Sequence, residues 1–107
     1  MISRIWHGWT TQENADAYEA FLRAEILPMI GTIEGFNGMH LLRRDLKDEV
    51  GFVTICWFDT WEAVRAFAGE DYEVAVVLPE ARRLLTRFDE RSQHYEAVIA
   101  PGYTKSG

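Results

Sequence analysis

The sequence predicts an α+β domain built on a four-stranded antiparallel sheet with helices packed on one face. Two observations predict it. Short segments rich in β-branched and aromatic residues interleave with stretches that are apolar at every third or fourth position, in the order strand, helix, strand, strand, broken helix, strand. The chain has 107 residues, enough for one core and one domain.

Residues 2–9 form the first expected strand, ending at Thr10 and Thr11. Thr10 followed three residues later by Glu13 is a capping-box signal, so a helix is expected to start there. Tyr18, Phe21, Leu22, Ile26 and Met29 then recur at helical spacing, and Pro28 is expected to kink or end that helix. Residues 36–45 and 50–59 flank a polar turn at 46–49 and read as a hairpin. A helix is expected to start at Asp59 or Thr60, with Glu62 completing a second capping box from Asp59, and carries Trp61, Val64, Phe67 and Ala68 before an interruption at Gly69. A helical stretch over 70–78 is expected next. Pro79 then opens a further helix with Ala81, Leu84, Leu85 and Phe88 in register. The last strand is expected over 91–99, stopped by Pro101 and Gly102. The domain therefore spans 1–100, and 101–107 is expected to be a flexible tail from which Tyr103 reaches a partner. This is the split βαβ order of a ferredoxin-like sandwich, with strands in the order four, one, three, two.

The strands are apolar front and back. Val53, Ile55 and Trp57 point one way and Phe52, Cys56 and Phe58 the other; Ile2 and Trp6 share one side of the first strand, Ile5 and Trp9 the opposite one. The helices of so short a chain cover one face. A second copy of the sheet packed on the other is the simplest remedy, and a homodimeric α+β barrel is expected.

Composition narrows the partners. Apolar residues at 48% and aromatics at 13% exclude a disordered chain. Eleven Lys and Arg against 17 Asp and Glu, a net charge of −6, disfavour nucleic acid. The longest apolar runs fall far short of the roughly 20 residues needed to span a bilayer. A single cysteine, Cys56, gives no internal disulfide, and with no signal-like start the expected compartment is cytoplasmic. Phosphate-loop and dinucleotide fingerprints are lacking.

Ile33-Glu34-Gly35-Phe36, Ile55-Cys56-Trp57-Phe58, Trp61-Glu62-Ala63 with Phe67, and Phe88-Asp89-Glu90-Arg91 with His94-Tyr95-Glu96 together resemble the antibiotic-biosynthesis monooxygenase-like family of dimeric α+β barrels. The resemblance covers about residues 2–99. It implies oxygenation of a small aromatic, quinol-like or polyketide-like metabolite without cofactor or metal. The haem-degrading branch of that family uses an Asn on strand one with a Trp and a His on the broken helix. Here those helix positions fall near Ala66 or Phe67 and near Val76, and strand one has no Asn. The quinol-oxygenase branch shares the strand-three Trp, here Trp57, but usually has a His where this chain has Phe67.

Such chemistry needs a dry pocket with aromatic walls and one or two groups that promote substrate ionisation. The expected polar residues are His94, His7 and Tyr72, with Trp6, Trp57 and Phe67 as substrate-binding walls. His40 is a third histidine, and no close-spaced motif supports a three-histidine metal site. Cys56 reads as core filler, and the Arg82, Arg83, Arg87, Arg91 group as a solvated face paired with Asp89, Glu90 and other acids. A non-oxygenase barrel that binds a hydrophobic small molecule, and an assembly module with a filled cleft, are the alternatives.

Overall fold

In the computed structural model, which describes residues 1–105, the central strand is β1 (Ile2–Thr10). It pairs antiparallel with β3 (Val50–Phe58) along its whole length, from Ile2 opposite Phe58 to Thr10 opposite Val50. β2 (Phe36–Asp45) pairs with the far side of β3, the two joined by a tight turn in which Leu46 N–H donates to Glu49 O at 2.9 Å. The other edge of β1 carries β4 (Leu85–Phe88) and β5 (Gln93–Glu96), two halves of one interrupted strand. The expected order of strands is the order observed, and the fold is an α+β ferredoxin-like sandwich.

The helical layer lies on one face. It consists of α1 (Ala15–Phe21), a π-helical turn (Leu22–Ile26) and α2 (Leu27–Ile30), which run on as one bent helix, followed later by α3 (Trp61–Ala68) and α4 (Pro79–Leu84). Pro28 has no N–H to give to the carbonyl four residues back, and its ring would meet that carbonyl in a regular helix. The wider turn just before it, with Leu27 N–H donating to Leu22 O, absorbs the misfit, so the helix bends and continues to Ile30. Among the described residues no helix is long and apolar enough to cross a membrane.

Period-two alternation sorts the sheet. Ile2, Arg4, Trp6, Gly8 and Thr10 of β1 and Val50, Phe52, Cys56 and Phe58 of β3 turn toward the helices. There Tyr18, Phe21, Leu22 and Ala81 pack on Phe52 and Val50, while Ile30, Ala63 and Val64 pack on Ile2, Cys56 and Phe58. Burial raises the Tyr18 phenol above its ordinary pKa, as befits a ring in van der Waals contact with Phe52 at 4.9 Å between centroids. Ile5, His7, Trp9, Val53, Ile55, Trp57, His40 and Leu42 lie on the opposite face, which no helix covers.

Four local expectations are corrected. Thr10 is the buried last residue of β1, and its hydroxyl donates to Thr11 O; the turn into α1 is instead held by Thr11 Oγ1, which accepts from Asn14 N–H at 3.1 Å. Thr60, not Asp59, caps α3: its Oγ1 accepts from Ala63 N–H at 3.1 Å, while Asp59 accepts from the Asn37 side chain. Residues 70–78 are not helical. A turn at 71–74, closed by Val74 N–H donating to Asp71 O at 3.1 Å, leads into an extended stretch beside the gap in the edge strand, with Ala75 N–H donating to Glu90 O at 2.9 Å and Ser92 N–H to Glu73 O at 2.6 Å. Leu85 and Phe88 belong to β4 rather than to the helix after Pro79. A bulge at Thr86 lets two inward-facing strand residues stand three apart, a spacing identical to a helical stripe. Of the expected surface arginine pairs, Arg87 meets Glu49 and Arg91 meets Glu73 and Asp71.

Beyond β5, β6 (Ile99–Ala100) and β7 (Tyr103–Thr104) form a small hairpin, and Lys105 N–H donates to Val98 O at 2.7 Å. The segment expected as a loose tail is folded back to that point, and Ser106 and Gly107 lie outside the described residues. Gly35 sits at φ +92°, and a Cβ there would meet the Ala63 side chain at 3.0 Å, so the entry to β2 requires glycine on both counts.

Phe58, with 0% exposure, joins the sheet to α3 and contacts the rings of Phe36 and Phe67. Phe58→Ala is expected to lower unfolding free energy by about 3–5 kcal/mol in urea titration, because the cavity it leaves is walled by rigid strand and helix.

Candidate functional site

A cavity of about 70 Å³ opens between the helical layer and the sheet. Its walls are apolar: Trp6 from β1, Leu22 and Ile26 from the π turn, Phe67 from α3, and Leu78 from the extended segment. The π turn widens the helix where it faces the sheet, so the feature forced by Pro28 also shapes the cavity. Trp6 is fixed by its indole N–H, which donates to Asp89 O at 2.7 Å in the gap between β4 and β5, and by Phe88 at 5.9 Å between ring centroids. Cys56 and Thr54 of β3 line the floor. Burial pushes the Cys56 thiol up to about 11, so it is protonated at neutral pH and is no nucleophile.

The one charged residue on this wall is Arg4, only 4% exposed. Its place follows from strand alternation, since Ile2, Arg4 and Trp6 share the helix-facing side of β1. Nη1 donates to Tyr72 O and lies 3.1 Å from His94 Nε2; Nη2 donates to Val74 O at 3.2 Å. The guanidinium also lies over the Phe67 ring, 5.4 Å from its centroid. Among the described residues no carboxylate forms an ion pair with it. Burial lowers its pKa from the ordinary arginine value, an effect partly offset by Cys56. Ser92, 2% exposed, reaches the same cavity, and its Oγ has no protein hydrogen-bond partner among the described residues.

A guanidinium N–H can only donate, so His94 Nε2 accepts and the ring proton resides on Nδ1, which meets no protein acceptor among the described residues. His94 packs edge-on against Tyr72 at 5.0 Å and beside Trp61 at 5.9 Å. Burial, and then the positive charge of Arg4, lower its pKa to about 4, against a smaller upward pull from Glu73. His94 is therefore a neutral ring at physiological pH, spent on holding Arg4.

The six residues named from sequence do not converge. Trp6 and Phe67 line the cavity, and His94 and Tyr72 stand behind Arg4, Tyr72 through its backbone carbonyl. His7 and Trp57 lie on the uncovered face. There His7 Nδ1 is 3.1 Å from Asp89 Oδ2, and Trp57 Nε1–H donates to His40 Nδ1 at 3.2 Å. His94 on β5 faces inward opposite Arg4, whereas His7 on β1 faces outward, so the sheet itself separates the two. Arg4 and Ser92 were missed. A lone arginine between Ile2 and Trp6, on the inward phase of a strand, was the available signal for the first; Ser92 had none.

No family model matches the chain, and no characterised protein matches it by sequence. Among solved structures it is similar to a Bacillus cereus protein provisionally assigned as an antibiotic biosynthesis monooxygenase, with a TM-score of 0.65 and 11% identity over 92% of this chain and 96% of that one. At that identity the likeness establishes the shared fold.

The His94 shift has a pH consequence. Its pKa is lower folded than unfolded, so between the unfolded value near 6.5 and the folded value of about 4 the unfolded state binds the extra proton, and stability falls as pH falls through that window. Nuclear magnetic resonance titration should find His94 neutral until about pH 4. Replacing it in His94→Gln should remove part of the acid-side loss of stability.

Proposed function

We propose that the chain is a cofactor-independent monooxygenase whose substrate, a small aromatic, quinol-like or polyketide-like metabolite, binds in the cleft between helices and sheet. The observation that carries this reading is the cleft itself: aromatic and aliphatic walls with one buried cation among them. The structural likeness to the Bacillus cereus protein supports it at the level of fold.

For a ring ketone with an activated methylene, the balance closes without a second reductant. The methylene gives up two hydrogens and four electrons, one oxygen atom becomes the new carbonyl, and the other leaves as water. In this reading Arg4 stabilises the enolate or phenolate that donates electrons to oxygen, because a fixed charge in a dry site acts strongly on charge that develops beside it. Trp6 and Phe67 hold the ring. His94 and the Tyr72 carbonyl are positioning groups that aim the guanidinium. His7, beyond the sheet, has no part in this cleft.

A second reading, binding of a hydrophobic molecule without oxygen chemistry, is favoured by Phe67 at the helix position where a histidine base would stand. Oxygen uptake with a panel of quinols and anthrones separates the two. The monooxygenase is expected to consume oxygen above a heat-denatured control, with loss of about tenfold or more in Arg4→Met. Uptake at the control level throughout, together with a co-purified apolar ligand in native mass spectrometry, would select the second.

The partner of the uncovered sheet face is, in this proposal, a second copy of the chain. Ile5, Trp9, Val53, Ile55 and Trp57 present an apolar patch there, with Leu42 49% exposed at its edge. Sedimentation at micromolar concentration is expected to give a dimer, and Ile55→Glu a monomer.

A further inference from the structure

Arg4 is a full positive charge held almost entirely out of water with three neutral acceptors and no carboxylate partner among the described residues. An uncompensated buried charge is destabilising, and proteins ordinarily supply a counter-ion. Two carbonyls and an imidazole lone pair fix the direction of the guanidinium without neutralising it. Five N–H groups are available on an arginine, and these contacts leave donors over. The hydroxyl of Ser92, also buried and without a protein partner among the described residues, reaches the same cavity. Apart from the uncharged Thr54 and Cys56 on the floor the remaining walls are apolar, so they favour a ring or short hydrocarbon body and give no second anchor for charge.

We infer that the Arg4 and Ser92 end of the cleft is a subsite for the ionised oxygen of a small apolar acid, a compact aromatic or enolic monoanion whose body lies against Trp6, Ile26 and Phe67. This rests on the cleft being the binding site of the proposed function and goes further by fixing the charge of what enters it. Neutral ligands of the same shape can accept a hydrogen bond but leave the buried cation without a counter-charge, and an uncompensated buried charge discriminates strongly between otherwise similar ligands. The net charge of −6 makes the preference informative, because the molecule as a whole repels anions and any selectivity for them must come from this end of the cleft.

The probes are benzoate and 4-nitrophenolate, with benzamide and 4-nitroanisole as neutral counterparts of similar size, titrated into the intact chain in oxygen-free buffer. Binding is followed by calorimetry and by tryptophan fluorescence. The anions are expected to bind about tenfold to a hundredfold more tightly than the neutral pair. Bound 4-nitrophenol should keep its yellow ionised band at a pH where the free compound has lost it. Arg4→Met should abolish both effects. Ser92→Ala removes a hydroxyl with no protein partner among the described residues, so it should leave folding intact while weakening the anions about threefold to tenfold and benzamide less. If Arg4→Met fails to fold, Ser92→Ala and the wild-type comparison decide. Equal affinity for neutral and charged probes, an anion preference untouched by the variants, or no anion binding at millimolar concentration would each overturn the subsite. Anion selectivity without oxygen uptake by any panel substrate would keep the subsite and remove the oxygenase; uptake with no anion selectivity would do the reverse.

Discussion

The pairing of β1 with β3 decides nearly everything else about this molecule. It runs in one register for nine residues, from Ile2 opposite Phe58 to Thr10 opposite Val50. A slip of one residue would exchange the faces, sending Phe52 and Phe58 outward and Val53, Ile55 and Trp57 against the helices. The same register that buries Phe58 carries Arg4 inward between Ile2 and Trp6. The charge in the cleft is thus tied to the burial of the core on either side of it, and cannot be turned out without disturbing both.

Strand order, the β2–β3 hairpin and the double-sided apolar pattern were legible in the sequence because they depend on alternation, which is local. The start of the edge strand was not. Leu85 and Phe88 stand three apart on either side of a bulge, and a one-residue bulge gives a strand the periodicity of a helix. The segment 70–78 misled for a related reason: Val74, Val76 and Val77 fit a short helix no better than an extended chain, and the backbone bonds that settle the matter come from 90–92, some fifteen residues on. Both helix starts were misplaced because the choice depends on where the preceding strand stops: Thr10 ends β1 and Thr11 holds the turn ahead of α1, while Thr60 rather than the adjacent Asp59 caps α3.

The site was half legible. Aromatic walls are found by phase, and Trp6 and Phe67 have the right one; Trp57, on the odd positions of β3, does not. Attention to histidine as the group that titrates near neutrality led away from Arg4, which never titrates in that range and so carries no such signal. Strand phase alone would have separated His7 from His94 once the pairing of both edge segments to β1 was known, but that pairing depends on where the edge strand breaks.

The break itself links fold to site. Because the edge strand is interrupted between Phe88 and Gln93, the Asp89 carbonyl is free to take the Trp6 indole, and residues 73–75 can pair with 90–92 in place of a continuous strand. That exchange brings the carbonyls of Tyr72 and Val74 over the cleft, where they accept from Arg4, and brings Ser92 to its wall. A continuous edge strand would satisfy its own backbone and leave none of these groups available. The gap is therefore the device by which an apolar sandwich acquires one oriented cation. With His94 already committed to that cation and kept neutral beside it, the oriented charge that the gap brings to the cleft is a positive one.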